Sequence, residues 1–171
     1  MSEPFHRACF FDSGIRFRCR QCGRCCTGAP GIIRVSAAEA AAIAAALAMD
    51  ERQFVRTCLQ PIAGSLSIRE HADGRCLFYE NGCRIYPQRP RQCRTYPFWL
   101  SNLRSTARWQ ETLAACPGIG SGSLFTREAI LTHLHAEMAD LPDAFQGAAG
   151  ASEGDSETTV APQPPAGGGA G

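Results

Sequence analysis

The stretch FRCRQCGRCC, running from Phe17 to Cys26, places four cysteines, Cys19, Cys22, Cys25 and Cys26, within eight positions. A C-x2-C spacing lets a tight turn bring two sulfurs to one metal ion while backbone N–H groups point at them, and Gly23 eases such a turn. Consecutive side chains diverge, so Cys25 and Cys26 are expected to serve opposite sides. Working outward, Cys76, Cys83 and Cys93 follow with six and nine residues between them, and Cys116 stands before Pro117 and Gly118. Two further cysteines, Cys9 and Cys58, lie outside these groups.

Ten cysteines in 171 residues exceed ordinary intracellular usage, yet fall short of the roughly 8–10% that marks a short disulfide scaffold. Metal ligation is the reading that follows. No basic segment followed by an apolar run opens the chain, so no secretory signal is visible, and a cytoplasmic location with reduced thiols is expected. The longest apolar run, Ala40 to Met49, is about half the ~20 residues that a membrane span needs, so no membrane partner is expected. Lysine is absent, which excludes Schiff-base and P-loop lysine chemistry. No G-x-G-x-x-G, nucleophile elbow or H-E-x-x-H occurs, and no independent catalytic motif is seen.

Charge is divided unevenly. Residues 1–110 hold 16 Arg against 8 acids, whereas residues 111–171 hold 1 Arg against 8 acids. The basic half could be read as a nucleic-acid surface. Its arginines, however, adjoin the cysteines: Arg18, Arg20, Arg24, Arg84, Arg89, Arg91 and Arg94. A zinc ion with four thiolates carries −2, as does an oxidised 4Fe-4S core with four, so an anionic centre accounts for these cations and no nucleic-acid partner is expected.

Along the chain, Ser36 and Glu39 form a capping-box pattern opening an alanine-rich helix to about Met49. Asp50 to Gln53 repeats that logic for a second helix to about Leu59. Between Leu66 and Tyr86, Asn81-Gly82 separates CLFYE from CRIY and predicts a β-hairpin. Pro87, Pro90 and Pro97 are expected to keep residues 87–98 out of regular helix. Thr126 to Leu141 has Ile130, Leu131, Leu134, Met138 and Leu141 at helical spacing, with Pro142 beyond. Residues 143–171, rich in Gly, Pro and Ala, are expected to form a disordered tail.

Spacing alone leaves two arrangements open: two four-cysteine centres sharing the first segment, or one centre with additional thiols around it. The triplet Cys19, Cys22, Cys25 and the distant Cys116-Pro117 echo elements of bacterial ferredoxins, without their short gap before the last cysteine. Zinc would take four thiolates as a closed structural site. Of the two cofactors, an iron–sulfur cluster is preferred to Zn.

The string FRCRQCGRCC, followed by CLFYENGCRIYPQRPRQCRTYPFW and then CPGIG, resembles the cysteine-cluster family with the CxxCxxCC signature, a zinc- or iron-chelating domain. The resemblance spans roughly residues 17–120. It implies the metal ligands Cys19, Cys22, Cys25, Cys26, Cys76, Cys83, Cys93 and Cys116, and metal binding with the biological role left open. The expected function is that of a metal-binding protein in a redox or accessory role, with room for an unidentified protein partner. A related domain occurs within flagellin lysine N-methylases, so the alternative it implies is a component of a protein-lysine N-methylase-like enzyme.

Cys58 shares a helix face with Phe54, Val55 and Leu59 and reads as a core residue, as does Cys9 beside Phe10 and Phe11. His133 and His135, two apart on a helix, face different directions and read as solvent-exposed. Tyr79, Tyr86, Tyr96, Phe98 and Trp99 read as a water-excluding wall around the thiols. The expected fold is a small, irregular α+β domain of metal-stapled cysteine-rich loops, with two or three helices and a β-hairpin. Residues 1–16 form a lead-in, 17–142 the cysteine-cluster domain and 143–171 the tail. Because thiolate ligation is coupled to folding, residues 17–35 and 74–118 should be largely unfolded without metal.

Overall fold

The computed structural model of the chain describes residues 8–28 and 31–140. The expected tail at 143–171 lies outside the described residues, as do the first seven residues of the lead-in and Leu141 and Pro142. The fold is α+β: among the described residues, six helices, three of them of five residues or more beyond the two at the start, are combined with two small antiparallel sheets. Among the described residues, no helix is long and apolar enough to cross a membrane.

The first half follows its caps. Helix α1 (Ala37–Ala46) starts at Ser36, whose hydroxyl accepts from the Glu39 amide at 3.3 Å while the Glu39 carboxylate accepts from the Ser36 amide at 2.9 Å. These bonds satisfy two amides that the first turn leaves without intrahelical partners. The helix stops short of Met49, because Ala48 takes a left-handed conformation (φ +52°). Helix α2 (Glu51–Cys58) begins with the Asp50 carboxylate accepting from the Gln53 amide at 3.0 Å. Small Ala40 and Ala44 on α1 leave room for Ile43 and for Phe54 of α2, both fully buried.

Three strands complete this half. Strand β2 (Arg34–Val35) pairs with β4 (Ser65–Ile68), and β4 with β3 (Leu59–Ile62). The hairpin is therefore β3–β4, earlier in the chain than Asn81-Gly82. Its turn residues Ala63 and Gly64 both have positive φ, +40° and +76°, as a two-residue turn matching strand twist requires. At Asn81-Gly82 the chain does reverse, but its flanks pair only at Tyr79 and Cys83. Cys76 and Cys83 turn into a cavity there, which breaks the alternation that a longer ladder needs.

The second half is more helical than the prolines suggest. Pro87 lies at the start of a 3-10 turn (Tyr86–Gln88) and Pro90 caps α3 (Arg91–Thr95), positions where a missing N–H costs nothing. Helices α4 (Leu100–Leu103) and α5 (Thr106–Ala115) follow, α5 capped by the Ser105 hydroxyl. Strand β5 (Ser123–Phe125) returns to pair with β1 (Ile15–Phe17), and α6 (Arg127–Ala139) starts at Thr126, whose hydroxyl accepts from the Ala129 amide at 3.3 Å.

Two apolar cores result. One joins α1, α2 and the three-stranded sheet with Phe78 and Ile85. The other gathers Phe11, Phe98, Leu103, Trp109, Ile130 and Leu134. His133 belongs to the rim of the second: it is half-buried and stacked on Phe98, with centroids 6.0 Å apart, instead of facing solvent. Desolvation there holds its pKa below the usual imidazole value.

Candidate metal centre

Four chain segments bring the predicted cysteines to one place. All eight, Cys19, Cys22, Cys25, Cys26, Cys76, Cys83, Cys93 and Cys116, line a single cavity of about 90 Å³. Cys58 is buried in the first core and Cys9 packs against the second, both away from that cavity. Ile33, Ile68 and Ile85 form its wall on the side of the first core, and Phe17 on the side of the second.

Backbone hydrogen bonds hold these segments in place. The Cys76 amide donates to the Cys26 carbonyl at 2.8 Å, tying the second cysteine group to the first. The Arg18 amide donates to the Gly118 carbonyl at 3.1 Å and the Gly120 amide to the Arg16 carbonyl at 2.8 Å, which carries Cys116 against the root of the first loop. Cys93 sits within α3, whose neighbour Gln92 replaces a missing strand: its side chain accepts from the Arg34 amide and donates to the Ile32 carbonyl, each at 2.8 Å. The first loop turns at Gly23, where φ is +75° and an added Cβ would lie 2.2 Å from the Tyr79 hydroxyl oxygen. That glycine is required both by its backbone conformation and by the tyrosine over it.

The arginines divide into two groups. Arg20, Arg24, Arg89 and Arg94 line the cavity. Arg24 also donates to the Ala115 carbonyl at 3.3 Å, at the negative end of α5 beside Cys116. The Arg89 guanidinium lies 3.8 Å from the Tyr86 ring centre and donates to the Tyr86 carbonyl at 3.0 Å. Arg18, Arg84 and Arg91 do not line it; Arg84 reaches Glu80, and Arg91 pairs with Asp140 and the Ala136 carbonyl. Of the predicted aromatic wall, Tyr79, Tyr86, Tyr96 and Trp99 line the cavity, whereas Phe98 lies in the second core.

Burial grades the thiols. Cys19, Cys22 and Cys25 are exposed, Cys26, Cys76, Cys83 and Cys93 are half-buried, and Cys116 is buried. The Cys25 and Cys26 sulfurs are 3.8 Å apart and line the same cavity, so these consecutive side chains meet instead of serving opposite sides. That contact is the main cause that brings Cys25 down to about 7. The same contact, then burial, pushes Cys26 upward. Desolvation raises Cys76, Cys83, Cys93 and Cys116, with neighbouring sulfurs adding to it. The Tyr96 hydroxyl is raised as well, first by desolvation and then by Cys116 and its neighbours.

Among the described residues, no three His, Cys, Asp or Glu side chains close on a common point in a manner that would hold a metal ion. The thiols ring the cavity without converging, which suits the protonated form favoured at Cys26, Cys76, Cys83, Cys93 and Cys116. A cation that displaced their protons would supply the attraction that neutral thiols lack. The donor set fits a thiophilic ion: among the described residues neither carboxylate nor imidazole lines the cavity. Calcium and magnesium take oxygen ligands, whereas zinc, copper(I) and iron–sulfur cores take thiolate.

Sequence reasoning did not reach Gln92 or the apolar wall of Ile33, Ile68 and Ile85. Neither carries a local signal, since their role arises from contacts between remote segments. Comparison with protein families matches residues 18–117 to a family described as "CxxCxxCC: Putative zinc- or iron-chelating domain". No solved structure matches the chain.

Proposed function

The chain belongs to the CxxCxxCC family of zinc- or iron-chelating domains, and from that premise we propose that Cys19, Cys22, Cys25, Cys26, Cys76, Cys83, Cys93 and Cys116 hold its metal, as an iron–sulfur cluster in preference to zinc, in a redox or accessory role. The observation that carries this reading is the lining of one cavity by all eight sulfurs, drawn from segments almost a hundred residues apart. Bound iron–sulfur would supply a one-electron couple, and zinc would supply a structural staple. Arg20, Arg24, Arg89 and Arg94 offset the negative charge of thiolates, and Tyr79, Tyr86, Tyr96 and Trp99 limit water access.

The test is elemental analysis of protein isolated without oxygen, with acid-labile sulfide measured on the same sample. Iron and sulfide in matched amounts, with a brown colour, is the expected result. Zinc without sulfide would overturn the preference for iron–sulfur and keep chelation. Absence of every thiophilic metal would overturn the reading as a whole.

A further inference from the structure

Between Asp12 and Glu39 the chain has no acidic residue but five arginines, Arg16, Arg18, Arg20, Arg24 and Arg34. The first four are exposed. Among the described residues none of those four pairs with a carboxylate; Arg16 and Arg24 donate to the backbone carbonyls of Gly122 and Ala115, which fixes the side chains and leaves the charge uncompensated. An anionic thiolate centre accounts for part of this charge. Even two centres of −2 are matched by the four arginines that line the cavity, and Arg16 and Arg18 stand outside that lining.

These two arginines share a surface. They lie two apart at the end of β1, on one face of an extended chain. Arg16 donates to the Gly122 carbonyl at 3.0 Å, and the Arg18 Cβ lies 2.5 Å from where a Gly122 Cβ would stand, so both cross the same glycine. Directly opposite Arg16 in the strand pair is Leu124, half exposed and the most exposed of the large apolar side chains. Opposed residues of an antiparallel pair project to the same face. An apolar side chain set among unpaired arginines is the composition of a protein interface, with an apolar centre and arginine around it. Surfaces for single-stranded nucleic acid add stacking aromatics to arginine; the nearest aromatic here, Phe17, points into the second core and the cavity.

We propose that Arg16, Arg18 and Leu124 form a docking surface for a protein partner with an acidic, leucine-bearing face, set beside the mouth of the cysteine cavity where Cys19, Cys22 and Cys25 are exposed. The surface goes beyond the metal reading and does not depend on which metal is held.

The test is fluorescence anisotropy of the full chain with a labelled peptide alternating glutamate and leucine, set against labelled oligothymidylate of equal charge, with metal content measured on each sample. The peptide is expected to bind more tightly and to weaken steeply as ionic strength rises from about 0.01 M to 1 M, where screening shortens from about 30 Å to 3 Å. Arg16→Glu with Arg18→Glu should weaken it at least about tenfold, with metal content unchanged. Arg16→Gln with Arg18→Gln should give a smaller loss, keeping the test available if charge reversal disturbs folding. Leu124→Ser should weaken the peptide and leave oligothymidylate unaffected. Peptide binding indifferent to both arginine pairs, or oligothymidylate binding as tight as the peptide, would overturn the proposal. Metal-free protein that still binds the peptide counts against the metal reading alone; metal-loaded protein that does not bind it counts against this surface alone.

Discussion

The Cys76 amide donates to the Cys26 carbonyl at 2.8 Å, so one hydrogen bond joins the last residue of the C-x2-C-x2-C-C run to the first residue of the next cysteine group, fifty positions on. The sulfurs on either side of that bond therefore share one cavity through backbone registration. Registration of this kind is sensitive to backbone crowding, and the glycines beside it are where crowding would act.

Gly118 is the clearest case. A Cβ there would lie 2.3 Å from the Arg18 carbonyl oxygen, an obstacle that no side-chain rotation removes. Gly118→Ala should destabilise the chain by about 1–3 kcal/mol, the usual cost of forcing extra volume into a packed position. The measurement is urea unfolding of the protein as isolated with its metal, with metal stoichiometry followed in parallel. Loss of both is expected, since the Gly118 carbonyl holds Cys116 against the first loop.

Cysteine substitutions should sort by position. Cys93→Ser and Cys116→Ser remove sulfurs from the cavity, and each should lower the metal content of purified protein. Cys58→Ser leaves all eight cavity sulfurs in place. It should cost about 1–3 kcal/mol through a buried hydroxyl yet leave metal content unchanged. Equal metal loss in all three variants would show that folding, not ligation, governs the readout.

The helix caps and the cysteine grouping were legible because both are local. Ser36 with Glu39, Asp50 with Gln53, and Thr126 each lie within one turn of the amides they serve. The hairpin lies at Ala63-Gly64 although Asn81-Gly82 is the stronger local signal. What decides between them is whether the flanking side chains can alternate across a sheet, and Cys76 and Cys83 are drawn to the cavity instead. Helix α3 is hidden because Pro90, which reads as a breaker, stands at its start. The β1–β5 pairing joins Ile15 to Phe125, a separation at which no periodicity gives warning.

Glu39 couples the well-read half of the molecule to Cys93. Besides capping α1, its carboxylate accepts from the Arg91 amide at 2.6 Å, at the start of α3. Burial works to raise its pKa, but the Ser36 and Arg91 amides, the Ser36 hydroxyl and the Arg94 charge outweigh it and hold the carboxyl below its usual 4.5. A depressed carboxylate contributes stability above its unfolded pKa and loses it as pH falls through the folded value. Metal-free protein should therefore lose stability as pH falls below about 4.5, and Glu39→Gln should reduce that part of the acid sensitivity while lowering stability at neutral pH by about 1–2 kcal/mol. Unfolding midpoints across an acid pH series would read both effects.

The thiols give an alkaline dependence of opposite form. Cys26, Cys76, Cys83, Cys93 and Cys116 are raised above the ordinary 9.0, so above that pH the folded chain retains protons that the unfolded chain has released. Their contribution to stability is present below 9.0 and is lost as pH rises beyond it. Cys25, brought down to about 7, acts the other way: between about 7 and 9.0 the unfolded chain holds the extra proton, so this thiol adds stability as pH rises through that range. Where the cavity stays formed without metal, stability should thus gain slightly from pH 7 to 9 and then weaken as the five raised thiols take over, and a flat profile would mean that residues 17–35 and 74–118 unfold without it. Metal-loaded protein should behave differently, because ligation requires the thiolates that burial opposes, and each proton released on binding makes affinity rise with pH. Competition against a chelator at a series of pH values, beside unfolding of the metal-free chain over the same series, would separate the two slopes. A metal affinity that stayed flat across that range would mean that these five thiols release no protons on binding, and would remove them from the ligand set.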